Sequence, residues 1–248
     1  MAARMQPRSA PTAADVLNHW SGLNGAPTDR LGRFLTAVLG QDVTQRDTLG
    51  GRNIRLMALH RALIGRGIDA RVTCAACGTP NEFAVPVATI AAMQPPDPDA
   101  RASLDAGGHT LAFRMPRHGD LALIEGDPRP RIAAACLLTK CPMPDLSDED
   151  LSLLAAGWEA LDPAGSITVT LCCVGCQAVF DAAVDPALFV ARDLDLFADA
   201  LLRDIDCIAT RYGWPETAIL ALPPLRRLRY VALIRGQDAQ IPLREVRR

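Results

Sequence analysis

VTCAACGTPNEF (Val72–Phe83) and TVTLCCVGCQAVF (Thr168–Phe180) are the two stretches that decide how this chain folds. Each carries a C-x-x-C, Cys74 with Cys77 and Cys173 with Cys176. Each is preceded by Val-Thr and followed, after a short turn, by a Phe and an alternating strand of small residues. A C-x-x-C turn aims two thiolates at one point, and two such turns supply the four sulfurs of a closed tetrahedral zinc site. The two segments are therefore expected to meet and share one Zn²⁺ through Cys74, Cys77, Cys173 and Cys176. Zinc ribbons that are local in sequence usually place their pairs roughly 15–20 residues apart, whereas 95 residues separate Cys77 from Cys173. A shared site would clamp distant parts of the chain together. Three other readings stay open: a redox C-x-x-C, structural cysteine pairs without metal, and disulfides. A redox pair normally opens a helix after a strand, where the dipole lowers the thiol pKa. Gly78-Thr79-Pro80 and Gly175 instead mark turns. Cys172 competes with Cys173 as a ligand, and the spacing to Cys176 favours Cys173. Cys136, Cys141 and Cys207 lie in apolar surroundings and read as core residues. The likeness of the two segments fits an internal duplication of a strand–knuckle–strand unit, or convergence on one hairpin.

At 248 residues the chain can bury a real core as one large domain or two small ones. Hydrophobic content of 49% and charged content of 22% are those of a globular protein. Aromatics make up only 4%, so Leu, Ala, Val and Ile must fill the interior. The net charge of −2 argues against a nucleic-acid partner captured by bulk electrostatics. The N-terminal MAARMQPRSAPTAAD lacks the apolar core of a signal peptide, and no run is long enough to span a membrane. Eight cysteines without an export signal point to a reducing cytoplasm, where metal binding outranks disulfides.

The expected fold class is α+β and mainly helical: short β-hairpins carrying two zinc knuckles, and a C-terminal helical region. Met1 to Thr12 reads as a mobile arm. Apolar periodicity predicts helices over Ala13–Leu23, Asp29–Leu39 and Asn53–Ile64, with Asp29, Asp47 and Thr48 as candidate caps. MQPPDPDA (Met93–Ala100) is the clearest linker. HTLAFRMP alternates as a strand, Leu121 to Glu125 fits a helical turn, and Arg131–Thr139 an apolar helix. Ser147 caps a helix over Asp148–Leu161. Asp185-Pro186 is a helix start, followed by a helix over Asp193–Tyr212 with Leu196, Ala200, Ile205 and Ile208 on its apolar face. Gly213 closes it, and WPETAILALPPLRRLRYVALIRG reads as two short helices split at Pro223-Pro224. The tail from Gln237 is loose and mildly basic. Three regions follow: 1–93 with the first knuckle, 94–165 with the linker and a middle strand and helix region, and 166–248 with the second knuckle and C-terminal helices. Shared zinc would join them into one compact unit.

No sequence constellation for catalysis is present. The phosphate-loop and dinucleotide fingerprints are absent, as are H-E-x-x-H and G-x-S-x-G. His19, His60, His109 and His118 are scattered, and His118 beside Gly119-Asp120 reads more simply as part of a turn. Four cysteine ligands close a zinc site, which gives the metal a role in stability. Arg226, Arg227 and Arg229 read as a solvated or protein-docking face, with Leu225, Leu228 and Val231 on the other side of their helix. Trp214 and Tyr230 read as packing anchors.

Four pieces of the chain resemble the T-even-type phage baseplate hub assembly family of contractile tails and injection systems. They are VLNHWSGLNGAPTDRLGRFLTAVLG, LGGRNIRLMALHRALIG running into CAACG, FRMPRHGDLALIEGDPRPRIAAACLLTKC, and CCVGC followed by a long helix and YGWPETAILALPPLRRLRYVALI. The last is the most specific. The resemblance implies a small helical, zinc-knuckle protein without enzymatic activity, which builds or joins a baseplate through contacts with other tail proteins. It implies no small-molecule substrate and no membrane, and a cytoplasmic location with incorporation into a particle. It carries the ligand role onto Cys74, Cys77, Cys173 and Cys176. The sequence departs from the usual knuckle, in which Pro follows the first cysteine and Gly the second. Ala75 and Val174 stand for Pro, and Gln177 for the second Gly, so the second knuckle is the weaker match. The rival reading is a zinc-ribbon nucleic-acid-binding or regulatory module.

Overall fold

The computed structural model describes residues 11–40, 46–121, 128–140 and 144–236. It is mainly helical with three two-stranded antiparallel hairpins, the α+β class expected. The described residues group into two compact units. One is formed within Asn24–Arg192, and the other by Thr12–Leu23 together with the chain from Asp193 onward. These boundaries run differently from the division at 93 and 165, because Thr12–Leu23 groups with the chain from Asp193 onward while both cysteine hairpins fall in one unit.

In the larger unit, α2 (Pro27–Leu39) starts two residues before its expected position because Pro27 takes the first helical turn, where its missing N–H costs nothing. It buries Leu31, Phe34 and Leu35. Helix α3 (Leu49–Leu63) is capped by Thr48, whose hydroxyl accepts from the Gly51 N–H at 3.1 Å. Asp47 is not the cap of this helix and instead pairs with Arg55 at 2.7 Å.

Hairpin β1 (Ile68–Thr73) with β2 (Pro80–Val85) runs straight into a short helix, α4 (Val87–Ala91), which packs on α3. The segment Met93–Ala100 contains no regular element, as its prolines demand. A second hairpin follows, β3 (Arg101–Ala106) with β4 (His109–Arg114). A 3₁₀ turn, His118–Leu121, contains the His118-Gly119-Asp120 sequence. Helix α5 (Pro128–Cys136) starts and ends earlier than its expected span. Helix α6 (Asp148–Leu161) has the expected limits, and Ser147 and Asp150 cap each other reciprocally at its start. The third hairpin pairs β5 (Ile167–Cys172) with β6 (Val179–Val184).

Two apolar clusters among the described residues help hold this unit. Ala102, Leu104, Leu111 and Phe113 face Ala133, Cys136, Leu151 and Leu154, and the Phe113 and Trp158 rings meet edge to face at 6.3 Å. The other cluster joins both cysteine hairpins: Met57, Ile68, Ala70, Val85, Val87 and Ile90 pack with Val184 of β6. Burying each of the larger of these side chains is worth about 1.5–3 kcal/mol, so apolar packing helps hold the ends of the two hairpins together.

The smaller unit contains α1 (Ala13–His19), capped by Thr12 and Asp15, and most of α7 (Pro186–Tyr212). Trp20 is fully buried and donates its indole N–H to Asp195 at 3.0 Å. Helix α7 is continuous from Pro186, with the Asp185 carboxylate accepting from the Ala187 N–H at 2.8 Å. Its buried stripe runs Leu194, Ala198, Leu201, Ile205 and Ile208, whereas Leu196 and Ala200, expected on the apolar face, are exposed. Helices α8 (Glu216–Leu220) and α9 (Pro224–Ile234) are separated at the predicted proline pair. Tyr212, Trp214 and Tyr230 form one ring cluster, with centroids 5.2–5.7 Å apart. The predicted faces of α9 hold only in part: Val231 is buried and Arg226 and Arg229 are exposed as expected, but Arg227 and the two leucines exchange places. Arg227 and Val231 are buried while Leu225 and Leu228 are exposed, because Arg227 finds Asp204 at 3.3 Å.

Cys136 is fully buried and Cys207 partly so; the Cys136 thiol is pushed up to about 12 by burial. Cys141, the N-terminal arm before Pro11, the tail from Gln237 and the helical turn expected beyond Leu121 lie outside the described residues. No helix among the described residues is long and apolar enough to cross a membrane.

Candidate metal centre

The two cysteine hairpins are the same object built twice. Strands of six residues flank a six-residue turn in each, and every pairing of the first recurs in the second 99 positions later: Ile68 with Val85 and Ile167 with Val184, Thr73 with Pro80 and Cys172 with Val179. In the first turn the Cys74 N–H donates to the Thr79 carbonyl and the Gly78 N–H to the Cys74 carbonyl, both at 2.9 Å. In the second the Cys173 N–H donates to Ala178 at 2.9 Å, and the Gln177 N–H to Cys173 at 3.0 Å. These bonds fold each C-x-x-C so that both sulfurs leave the turn on one side.

The turns face each other, and the sulfurs of Cys74, Cys77, Cys173 and Cys176 all lie within 4.8 Å of one another. Cys74 approaches Cys176 at 3.8 Å and Cys77 approaches Cys173 at 3.6 Å. Each contact joins the first cysteine of one turn to the second of the other, as a local two-fold relation requires. A tetrahedron of thiolates with metal–sulfur arms of about 2.3 Å has edges of about 3.8 Å, so these side chains can hold a metal ion with little movement. Cys74 and Cys173 are buried, and Cys77 and Cys176 lie at the surface. Cys172 is outside the group; its thiol is directed at the Gln177 carbonyl and side-chain oxygens at 3.5 and 3.4 Å. Neither C-x-x-C opens a helix, so the dipole that activates redox thiols is absent from both turns.

Electrostatics within the cluster favour a cation. The Cys173 thiol is drawn down to about 6, chiefly by the backbone N–H of Cys176, with help from Gly175, Cys77 and Asn81. Cys77 is lowered by Thr79, first through its hydroxyl and then through its backbone. On Cys176 the Ala178 N–H pulls downward, but hydrogen bonds with Cys77, Cys173 and Cys74 outweigh it and push this thiol up to about 12. Thiolates this close cannot all ionise unless positive charge is placed between them.

Asn81, on β2, is the residue that sequence reasoning missed. It is 4% exposed, donates to the Thr79 carbonyl at 2.9 Å and lies 3.7 Å from the Cys173 sulfur. Its side-chain oxygen accepts from the Val174 N–H at 2.9 Å. One amide thus ties the first turn to the second and donates toward a ligand sulfur, the arrangement that orients metal ligands from outside. Its counterpart by the 99-residue displacement is Phe180, so no second bridge exists.

The two turns differ at the residue after the second cysteine. Gly78 has φ +73° and Gln177 has φ +60°, the one described non-glycine residue with positive φ. The left-handed region costs a side chain of this kind about 1–2 kcal/mol. Gln177→Gly is therefore expected to stabilise the protein by about 1 kcal/mol and raise its melting temperature by about 2–4 °C. Calorimetry checks this, and an unchanged or lower value would mean that the Cys172–Gln177 contact outweighs the strain.

No protein-family model, no curated protein and no solved structure matches the chain.

Proposed function

We propose that the chain is a non-enzymatic structural or assembly protein of a contractile tail or injection-system baseplate, with one structural Zn²⁺ clamping its two knuckles. The observation that carries the metal half of this reading is the convergence of four sulfurs from two distant turns. Thiolate ligands in a tetrahedral set select zinc among the abundant divalent ions, and four protein ligands leave no open position for substrate. The metal then contributes folding free energy. The baseplate half rests on the resemblance of the four sequence pieces, and exposed leucines at 225, 228 and 233 on α9 suit a protein that works through contacts.

The rival nucleic-acid module relied on Arg226, Arg227 and Arg229. Arg227 is buried and paired with Asp204, which leaves two exposed cations on that helix and weakens the rival. The test is an affinity pull-down of tagged protein from its own cells, read by mass spectrometry with nucleic acid assayed in parallel. Wedge, spike or sheath proteins are expected to co-purify. A clean monomer overturns the baseplate reading, and salt-sensitive nucleic acid would establish the rival.

A further inference from the structure

A second group of residues in the larger unit has charges without partners. The Thr48–Arg117 bridge, together with the Leu49 N–H bond to the Pro116 carbonyl at 3.2 Å, lays the segment after β4 along the start of α3. This brings Arg117 and His118 to a cleft of about 450 Å³ that Arg52 of α3 and Gly32 of α2 also line. Arg52 Nη2, Arg117 Nε and His118 Nδ1 are all buried, and none has a hydrogen-bond partner among the described residues. Neither arginine forms an ion pair among the described residues.

The carboxylates in the cleft wall are already committed. Asp47 takes Arg55 at 2.7 Å. Asp120 takes both guanidinium nitrogens of Arg114, at 2.7 and 2.8 Å, and also the Arg117 backbone N–H at 2.8 Å. Asp185 and Asp47 act on Arg52 only from beyond ion-pair distance, and Asp29 and Asp185 act likewise on His118. Burial lowers both Arg52 and His118. Guanidinium groups withdrawn from water are ordinarily paired, because an uncompensated buried charge is costly. Two arginines, each with one buried and unpartnered guanidinium nitrogen, line one cleft together with an imidazole, a donor set suited to a multiply charged oxyanion, which guanidinium forks recognise by paired hydrogen bonds.

We propose that this cleft binds phosphate, free or as a phosphate monoester, through Arg52 and Arg117 with His118 as a further donor. The site is separate from the cysteine cluster in its residues, and it stands or falls independently of the baseplate reading.

The experiment is isothermal titration of the full-length, metal-loaded protein with inorganic phosphate, in buffers of matched ionic strength. Saturable binding near one phosphate per chain is expected, weakened at least tenfold in Arg52→Gln and in Arg117→Gln. Those substitutions could also disturb folding, so Gly32→Glu provides the independent variant. A side chain there points into open space, and it sets a carboxylate at the cleft wall. Gly32→Glu should abolish binding while metal content and melting stay at wild-type values. Phenyl phosphate in a parallel titration separates the sources. Equal affinity identifies free phosphate as sufficient, and tighter binding identifies an ester; both support the site. Absence of saturable binding, or wild-type affinity in Gly32→Glu, overturns it.

Discussion

Cys173→Ser protein should lose stoichiometric zinc and melt about 10 °C or more below wild type, whereas Cys172→Ser should keep both. Adjacent positions with opposite outcomes make this a demanding comparison. Cys173 is completely enclosed, its sulfur lies 3.4 Å from the Gly175 N–H, and it faces Cys77 at 3.6 Å. Cys172 is exposed, and its thiol is directed at Gln177 and away from the other sulfurs. Serine in place of Cys173 removes one of four thiolates and leaves a hydroxyl that is a poor ligand for a soft site. Because metal affinity is folding free energy in such centres, losing even about 4 kcal/mol of it lowers the melting temperature of a chain this long by roughly 10 °C. Chelation of the wild-type protein should have the same effect. Loss should begin at the turns, since the far ends of both hairpins keep the apolar cluster of Ile68, Val85 and Val184. Metal analysis with calorimetry decides the matter. Equal zinc in Cys173→Ser, or its loss in Cys172→Ser, would refute the assignment.

The cysteines could be read from sequence because a C-x-x-C turn is a local device whose geometry travels with its spacing. Asn81 could not, because T-P-N reads as turn chemistry and its importance arises only when Val174, 93 residues later, comes within hydrogen-bond range. Helix α6 kept its limits because Ser147 and its reciprocal Asp150 are a strong local start signal. Strand β3 went unseen because R-A-S-L-D-A is poor in β-formers. Its inward pair, Ala102 and Leu104, is stabilised by packing on α6 and by pairing with β4. The face of α9 was misjudged for a related reason. Periodicity assumes that arginine stays in water, and Asp204 supplies the partner that lets Arg227 go inside. What sequence pattern conveys is local preference; what it omits here is the single distant partner that reverses a preference.

Gly50→Ala is expected to destabilise the protein by about 3 kcal/mol or more, although alanine is the better helix former by about 1 kcal/mol. Gly50 lies in the first turn of α3, and its N–H donates to the Asp162 carboxylate at 2.8 Å. That carboxylate adds negative charge at a helix start whose cap is already Thr48. Asp162 is 4% exposed and fixed by its backbone, with its N–H on the Trp158 carbonyl at 2.8 Å and its own carbonyl on the Gly165 N–H at 2.9 Å. A Cβ at position 50 would stand 1.7 Å from the Asp162 carboxylate and 2.8 Å from the Gly165 backbone nitrogen. Rotating the carboxylate away would leave the buried Gly50 N–H without its acceptor, and the backbone contact would remain, so the loop after α6 must shift. Gly51→Ala is the matched control. Its Cβ would meet nothing nearer than 3.4 Å, and it should be neutral or mildly stabilising. A double-mutant cycle with Asp162→Ala separates the causes. If the carboxylate is the obstacle, Gly50→Ala should cost far less in the Asp162→Ala background than in wild type. If the Gly165 backbone is the obstacle, the two costs should add. A Gly50→Ala protein melting within about 2 °C of wild type, under 1 kcal/mol for a chain of this size, would mean that the loop yields freely and that the close approach carries no stability.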